Sequence, residues 1–197
     1  MKKYLIAILL MLSTMALSAQ GVENGTQPVV ENRPIKEFLS SFSAIDVDAP
    51  IKLSLIKIAA DEAPYIIYDT KGVYTSKFEA VVDRKSNTLK ISERNDPKRE
   101  SVTEVKVYFS ELTDISVSKA NTVVEGTLTS QLLDIYISND AVFVADIDVL
   151  DVMLYASGKS RIVITGNSHY QTADIATAVY DASKLSTIAT VVESSHN

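Results

Sequence analysis

The 197-residue chain contains no cysteine and no tryptophan, only two histidines, and few structure breakers, with six glycines and five prolines. Without cysteine there is no thiol nucleophile, no disulfide, no thiolate zinc site and no cysteine-linked lipid anchor. Stability therefore has to come from burial and backbone pairing. One histidine, His196, is penultimate; the other, His169, lies in GNSHYQ, which reads as an exposed polar turn. No GxSxG accompanies them, so a nucleophile elbow is missing, and neither a P-loop nor a GxGxxG is present. These absences predict a protein that is not an enzyme and holds no cofactor. Positive charge is also short, with 19 Lys plus Arg against 25 Asp plus Glu. That balance argues against nucleic acid, which needs a basic face to release counterions, and against an anionic membrane surface.

The N-terminus carries the one long apolar run. Lys2 and Lys3 precede Tyr4–Leu12, and Ser13, Thr14, Ala16, Ser18 and Ala19 supply small residues for cleavage. This pattern predicts a signal peptide over 1–19, cut before Gln20, because the run is well short of the ~20 residues a spanning helix needs. The mature chain would then carry 17 basic against 25 acidic residues, a formal charge of −8. Export to the periplasm, the cell surface or the medium is expected, with no membrane insertion of the mature chain. Residues 20–36, rich in Gly, Pro and polar side chains, read as a flexible leader, and 37–197 as one folded domain.

From Phe38 onward the apolar residues recur with period two, the mark of half-buried strands. FSAIDVDAPIKLSLIKI, YIIYD, KFEAVVD, TLKIS and VTEVKVYF all read this way, with a hairpin-like turn at RKSN and a charged loop at NDPKRE (95–100). Only GVYTSKF is a candidate for a single helical turn. The second half adds an internal repeat: ISVSKANTVV, IYISNDAVFV, LYASGKSRIV and TAVYDASKLS begin at Ile115, Ile135, Leu154 and Thr177. In this alignment Val117, Ile137, Ala156 and Val179 share one position, and Val123, Phe143, Ile162 and Leu185 share a second that reads as core. Units of about 20 residues that cannot bury an apolar face alone can do so by stacking, ~4.8 Å apart, as coils of a parallel β-helix. An antiparallel sandwich with evenly spaced strands is the alternative.

FSAIDVDAPIKLSL, TLKIS and the recurring small-polar turns resemble the auto-transporter adhesin head domain called the GIN domain, from about Glu37 to near the C-terminus. The resemblance implies an all-β, right-handed parallel β-helix or solenoid of short coils, with the N-terminal strands pairing onto it. It also implies an adhesin-like, surface-binding protein of the bacterial cell envelope. Only SGKS (157–160) approaches the Ser-Gly turns of that family, and the chain stops at VVESSHN, which implies a shortened solenoid with an unusual cap.

The register places chemistry on the outer face. With Ile115, Val117, Ile135, Ile137, Leu154 and Ala156 inward, Ser116, Tyr136, Tyr155 and Ala178 form an outward row. Tyr136 and Tyr155 then stack beside Asp134, an arrangement suited to a sugar face or a protein partner. It would serve equally as a cross-strand pair that only stabilises the sheet. Asp114 and Asp134 share a register position and form a weak candidate cation pair, while Asp146 and Asp148 point outward. Two further functions compete with surface binding. One is a structural envelope module that self-associates through open solenoid ends; the other is a carbohydrate-active β-helix enzyme using Asp134.

Overall fold

Alternation of β-branched and polar residues yields strands with one buried face, and the computed structural model contains no helix among its described residues, 34–70, 78–94 and 101–193. All of these lie in one compact unit. The signal peptide, most of the leader, NDPKRE, His196 and nearly all of GVYTSKF fall outside the described residues. The strands are β1 (Ile35–Phe38), β2 (Ala44–Asp48), β3 (Lys52–Lys57), β4 (Tyr65–Asp69), β5 (Glu79–Asp83) and β6 (Thr88–Ser92). They continue with β7 (Glu104–Phe109), β8 (Asp114–Ser118), β9 (Asn121–Ser138), β10 (Val142–Ala156), β11 (Arg161–Ile175) and β12 (Val179–Glu193). The first two residues of β1, Ile35 and Lys36, lie in the segment read as leader.

The strands join into one curled, open sheet with an all-β core on its concave side. The long strands β9 to β12 pair in parallel, each upon the last. Below β9 the sheet divides. The first half of β9 continues through β3, β7, β4 and β1, and its second half through β8, β2, β6 and β5. RKSN is the turn of the antiparallel β5–β6 hairpin, as expected.

The repeat is real, and it extends further toward the N-terminus than the sequence alone suggests. Leu89, Ile45, Ile115, Ile135, Leu154 and Ala173 are successive ladder partners and all are buried. From Ile115 onward the advance is 20, 19 and 19 residues. Each corner carries one residue at positive φ: Lys119, Asn139, Gly158 and Thr177. Polar side chains tie successive corners together. Asn139 Nδ2 donates to Ser118 Oγ at 2.7 Å, and Thr177 Oγ1 donates to the Gly158 carbonyl at 3.1 Å.

Two positions of the expected alignment are corrected. The first corner has two residues between Ser118 and Asn121, whereas the next has three between Ser138 and Val142. Counting across it slips the register by one, and a one-residue slip exchanges the faces of a strand. Thr122, not Val123, is the inward partner of Phe143, and Val123 is exposed. The Thr122 hydroxyl is buried without a hydrogen-bond partner. The fourth unit starts at Ala173, not Thr177. Its corner is Ala176–Ala178, and YDAS, which has the composition of a turn, is an irregularity inside β12 where Ser183 N donates to Asp181 Oδ1 at 3.0 Å. As a result Val179 is exposed opposite Arg161, and Leu185 pairs with Gly166. His169 lies within strand β11, not in a turn, and is exposed.

At the far end, Tyr180 stacks on Ile162 and its hydroxyl accepts a hydrogen bond from buried Gln171. Burial pushes the Tyr180 phenol up to about 12.

Candidate functional site

The outward row of the second-half sheet runs Asp46, Ser116, Tyr136, Tyr155, Asp174 in ladder order. Asp174 takes the place expected for Ala178, which instead packs against the core at the corner. Period two forces this row outward, because the residues flanking each member, Ile135 and Ile137, then Leu154 and Ala156, are buried. Tyr136 and Tyr155 are therefore neighbours by register. Their rings lie 4.9 Å apart at 4° to one another, with 43% and 38% of each residue exposed. The rings stack face to face, and their outer edges form a narrow aromatic platform across two strands. A shallow cavity of about 260 Å³ adjoins it, bordered by Ser116, Ser138, Ser157 and Asp174.

Asp134 stands two residues before Tyr136 on the same face, directly opposite Asp114. Its carboxyl is shifted up, first by partial burial, then by the charges of Asp114 and Asp151. The Tyr136 phenol is also shifted up, chiefly by burial and then by Asp134. Thr113 Oγ1 donates to Asp114 Oδ2 at 2.6 Å. Among the described residues no group of three or more His, Cys, Asp or Glu is arranged to hold a metal ion. Asp146 and Asp148 flank the buried Ile147, as expected. Asp146 accepts from Thr127 at 2.6 Å and from Thr165 at 2.9 Å, tying three strands together.

The upward shift at Asp134 has a testable sign. A carboxyl whose folded pKa lies above its unfolded value stabilises the fold fully below the unfolded pKa, and that contribution is lost as pH rises through the folded one. Asp134→Asn is expected to flatten the decline in melting temperature from about pH 4 upward. Thermal melts across pH check this; a profile parallel to wild type removes Asp134 as its source.

A second aromatic cluster escaped sequence reasoning. Phe38, Tyr65 and Tyr108 align across β1, β4 and β7. Tyr65 and Tyr108 stack at 4.1 Å, and Lys36 Nζ sits 3.8 Å above the Tyr65 ring. These strands pair antiparallel and are distant in sequence, so no repeat signals their alignment. The aromatics of YIIYD and EVKVYF are the only hint.

Comparison with solved structures identifies the same architecture in bacterial proteins named putative adhesins. That of Parabacteroides distasonis is 17% identical, with a TM-score of 0.63 over 83% of this chain and 78% of that one. The Parabacteroides merdae protein is 14% identical, with a TM-score of 0.63 over 84% and 78% of the two chains. The Bacteroides fragilis protein is 15% identical, with a TM-score of 0.51 over 86% and 98%. At these identities the likeness shows the fold. A sequence search of curated proteins finds no match. The family model for "Putative auto-transporter adhesin, head GIN domain" matches residues 41–196. With that match covering well over half its length, the chain belongs to the auto-transporter adhesin head GIN-domain family.

Proposed function

We propose that this protein is an exported, non-enzymatic, adhesin-like module of the bacterial envelope that holds a glycan against the Tyr136–Tyr155 platform. The observation that carries this reading is the stacked, half-exposed ring pair flanked by Asp134 and Asp174. The ring edges and the outer face of Tyr136, whose ladder neighbour is only Ser116, offer apolar surface to a pyranose, while carboxylates and serine hydroxyls accept from sugar hydroxyls. Family membership supports a surface-binding role, and the N-terminal signal pattern supports export. We read the stacked rungs as turns of a right-handed parallel β-helix, a reading supported by the 19-residue advance between parallel neighbours.

Substituting both tyrosines, Tyr136→Ser with Tyr155→Ser, is expected to weaken glycan-array binding by roughly tenfold or more, at a stability cost of only about 1 kcal/mol. Unchanged binding by a folded double variant would remove this face from consideration. Loss of binding to a surface protein, with glycan binding absent throughout, would assign the platform to a protein partner.

One observation favours a second reading, self-association. Val192 continues the core row past Ala173, yet it is 54% exposed, and nothing among the described residues pairs with the outer edge of β12. Open edges of this kind add a second copy readily. Light scattering over a concentration series separates the readings, since a monomeric adhesin shows no growth in mass.

A further inference from the structure

The ladder lacks one strand. In its first half β9 rests on β3, which covers residues 121–125, and in its second half on β8, which covers 134–138. Between them, residues 127–132 pair only with β10 on one side. Among the described residues no strand meets their other edge. Strand β3 ends at Lys57 on one side of this gap, and Asp114 opens β8 on the other. The space is a cavity of about 930 Å³ whose lining includes Lys57, Ile58, Glu111, Thr129, Leu132 and Asp148.

The edge is chemically exposed. The Thr129 carbonyl points into the gap, where Lys57 Nζ reaches it at 3.3 Å and also contacts the Thr129 hydroxyl. In an extended strand the N–H of a residue points the same way as its C=O, and alternate residues face opposite neighbours. Thr127 and Thr129 therefore present backbone donors and acceptors to the gap, while Leu128 is buried with the core. Residues 127–132 offer about 20 Å of edge along the chain, the length of a six-residue segment that bends with β9 at Ser130, whose Oγ donates to the Leu132 carbonyl at 2.6 Å.

From this the geometry points to a binding slot for an extended polypeptide segment of about six residues, entering as the missing strand by β-augmentation. Evenly spaced backbone groups over that length match a peptide main chain. Apolar side chains on alternate residues would lie over Leu128 and beside Ile58, with polar ones between them facing solvent. Lys57 caps the edge in the free protein, as lysines do on open strands, and it releases the Thr129 carbonyl to an incoming N–H. This slot is distinct from the tyrosine platform and does not depend on it.

The test uses the full chain and a labelled, end-blocked peptide KLSTIA, a copy of residues 184–189, which form the equivalent segment of the outermost rung. Saturable binding below about 1 mM is expected, together with slowed hydrogen exchange at the Thr127 and Thr129 amides. Thr129→Pro removes a donor that faces the gap and leaves the β9–β10 bonds, which edge strands tolerate. It is expected to weaken binding about tenfold. Lys57→Ala leaves the backbone intact and is expected to tighten binding roughly threefold. No saturable binding, an affinity unmoved by either variant, or Thr127 and Thr129 amides already protected in the free chain would each overturn the slot.

Discussion

Gly166→Ala is expected to destabilise the protein by on the order of 4 kcal/mol, a large share of the stability of an ordinary domain. Gly166 sits in the middle of β11 opposite Ile147 and has φ of +101°, outside the region that L side chains occupy. A Cβ at this position would lie 2.1 Å from the Ile147 carbonyl oxygen and 2.9 Å from the Ile147 nitrogen. Both contacts are with backbone of the adjoining strand, so relief requires the two strands to separate where the sheet bends. Gly126 provides the comparison, since it has φ of +82° but an added methyl group there would meet nothing within 4 Å. Gly126→Ala should cost only the conformational strain, about 1–2 kcal/mol. Urea midpoints of the two variants test the argument, and equal losses would show that steric contact with Ile147 is not what constrains position 166.

Phe143→Ala is expected to cost ~3–5 kcal/mol through lost transfer free energy and an unfilled cavity. Phe143 is fully buried between Thr122 on one strand and Ile162 on the next. Its row also includes Val105, Leu53 and Tyr180, each held by its own ladder, so the neighbours cannot collapse into the space. Val123→Ala, one residue from the Phe143 partner but exposed, should change stability by less than about 0.5 kcal/mol. A Val123 effect as large as that at Phe143 would refute the register described above.

That contrast marks where sequence reasoning stops being sufficient. Period two over β9 to β11 makes strands unavoidable, and the 19- to 20-residue recurrence of Ile115, Ile135 and Leu154 makes stacking the way to bury them. Corners are harder. SNDA and SGKS advertise left-handed geometry through Asn139 and Gly158. The fourth corner uses Thr177 at φ of +61°, a β-branched residue that carries no turn signal and is held by its bond to Gly158. The nearby YDAS looks more like a turn and draws the alignment four residues too far. Of the candidate site, Tyr136, Tyr155, Asp114 and Asp134 come together as their shared register positions predict. Asp174 escapes notice because it falls in that shifted fourth unit.

The sequence alone determined that the chain is all-β, that its second half repeats, and that one tyrosine from each of two rungs faces outward. Those properties follow from local periodicity, which each strand expresses whatever its neighbours do. Tertiary structure decided which strand halves meet β3 and which meet β8, and where the ladder lacks a member. It also decided that Phe38, Tyr65 and Tyr108 converge. Pairing between segments 20 to 69 residues apart depends on the competition among edges of similar hydrogen-bonding capacity, and that competition is resolved only when the whole core closes.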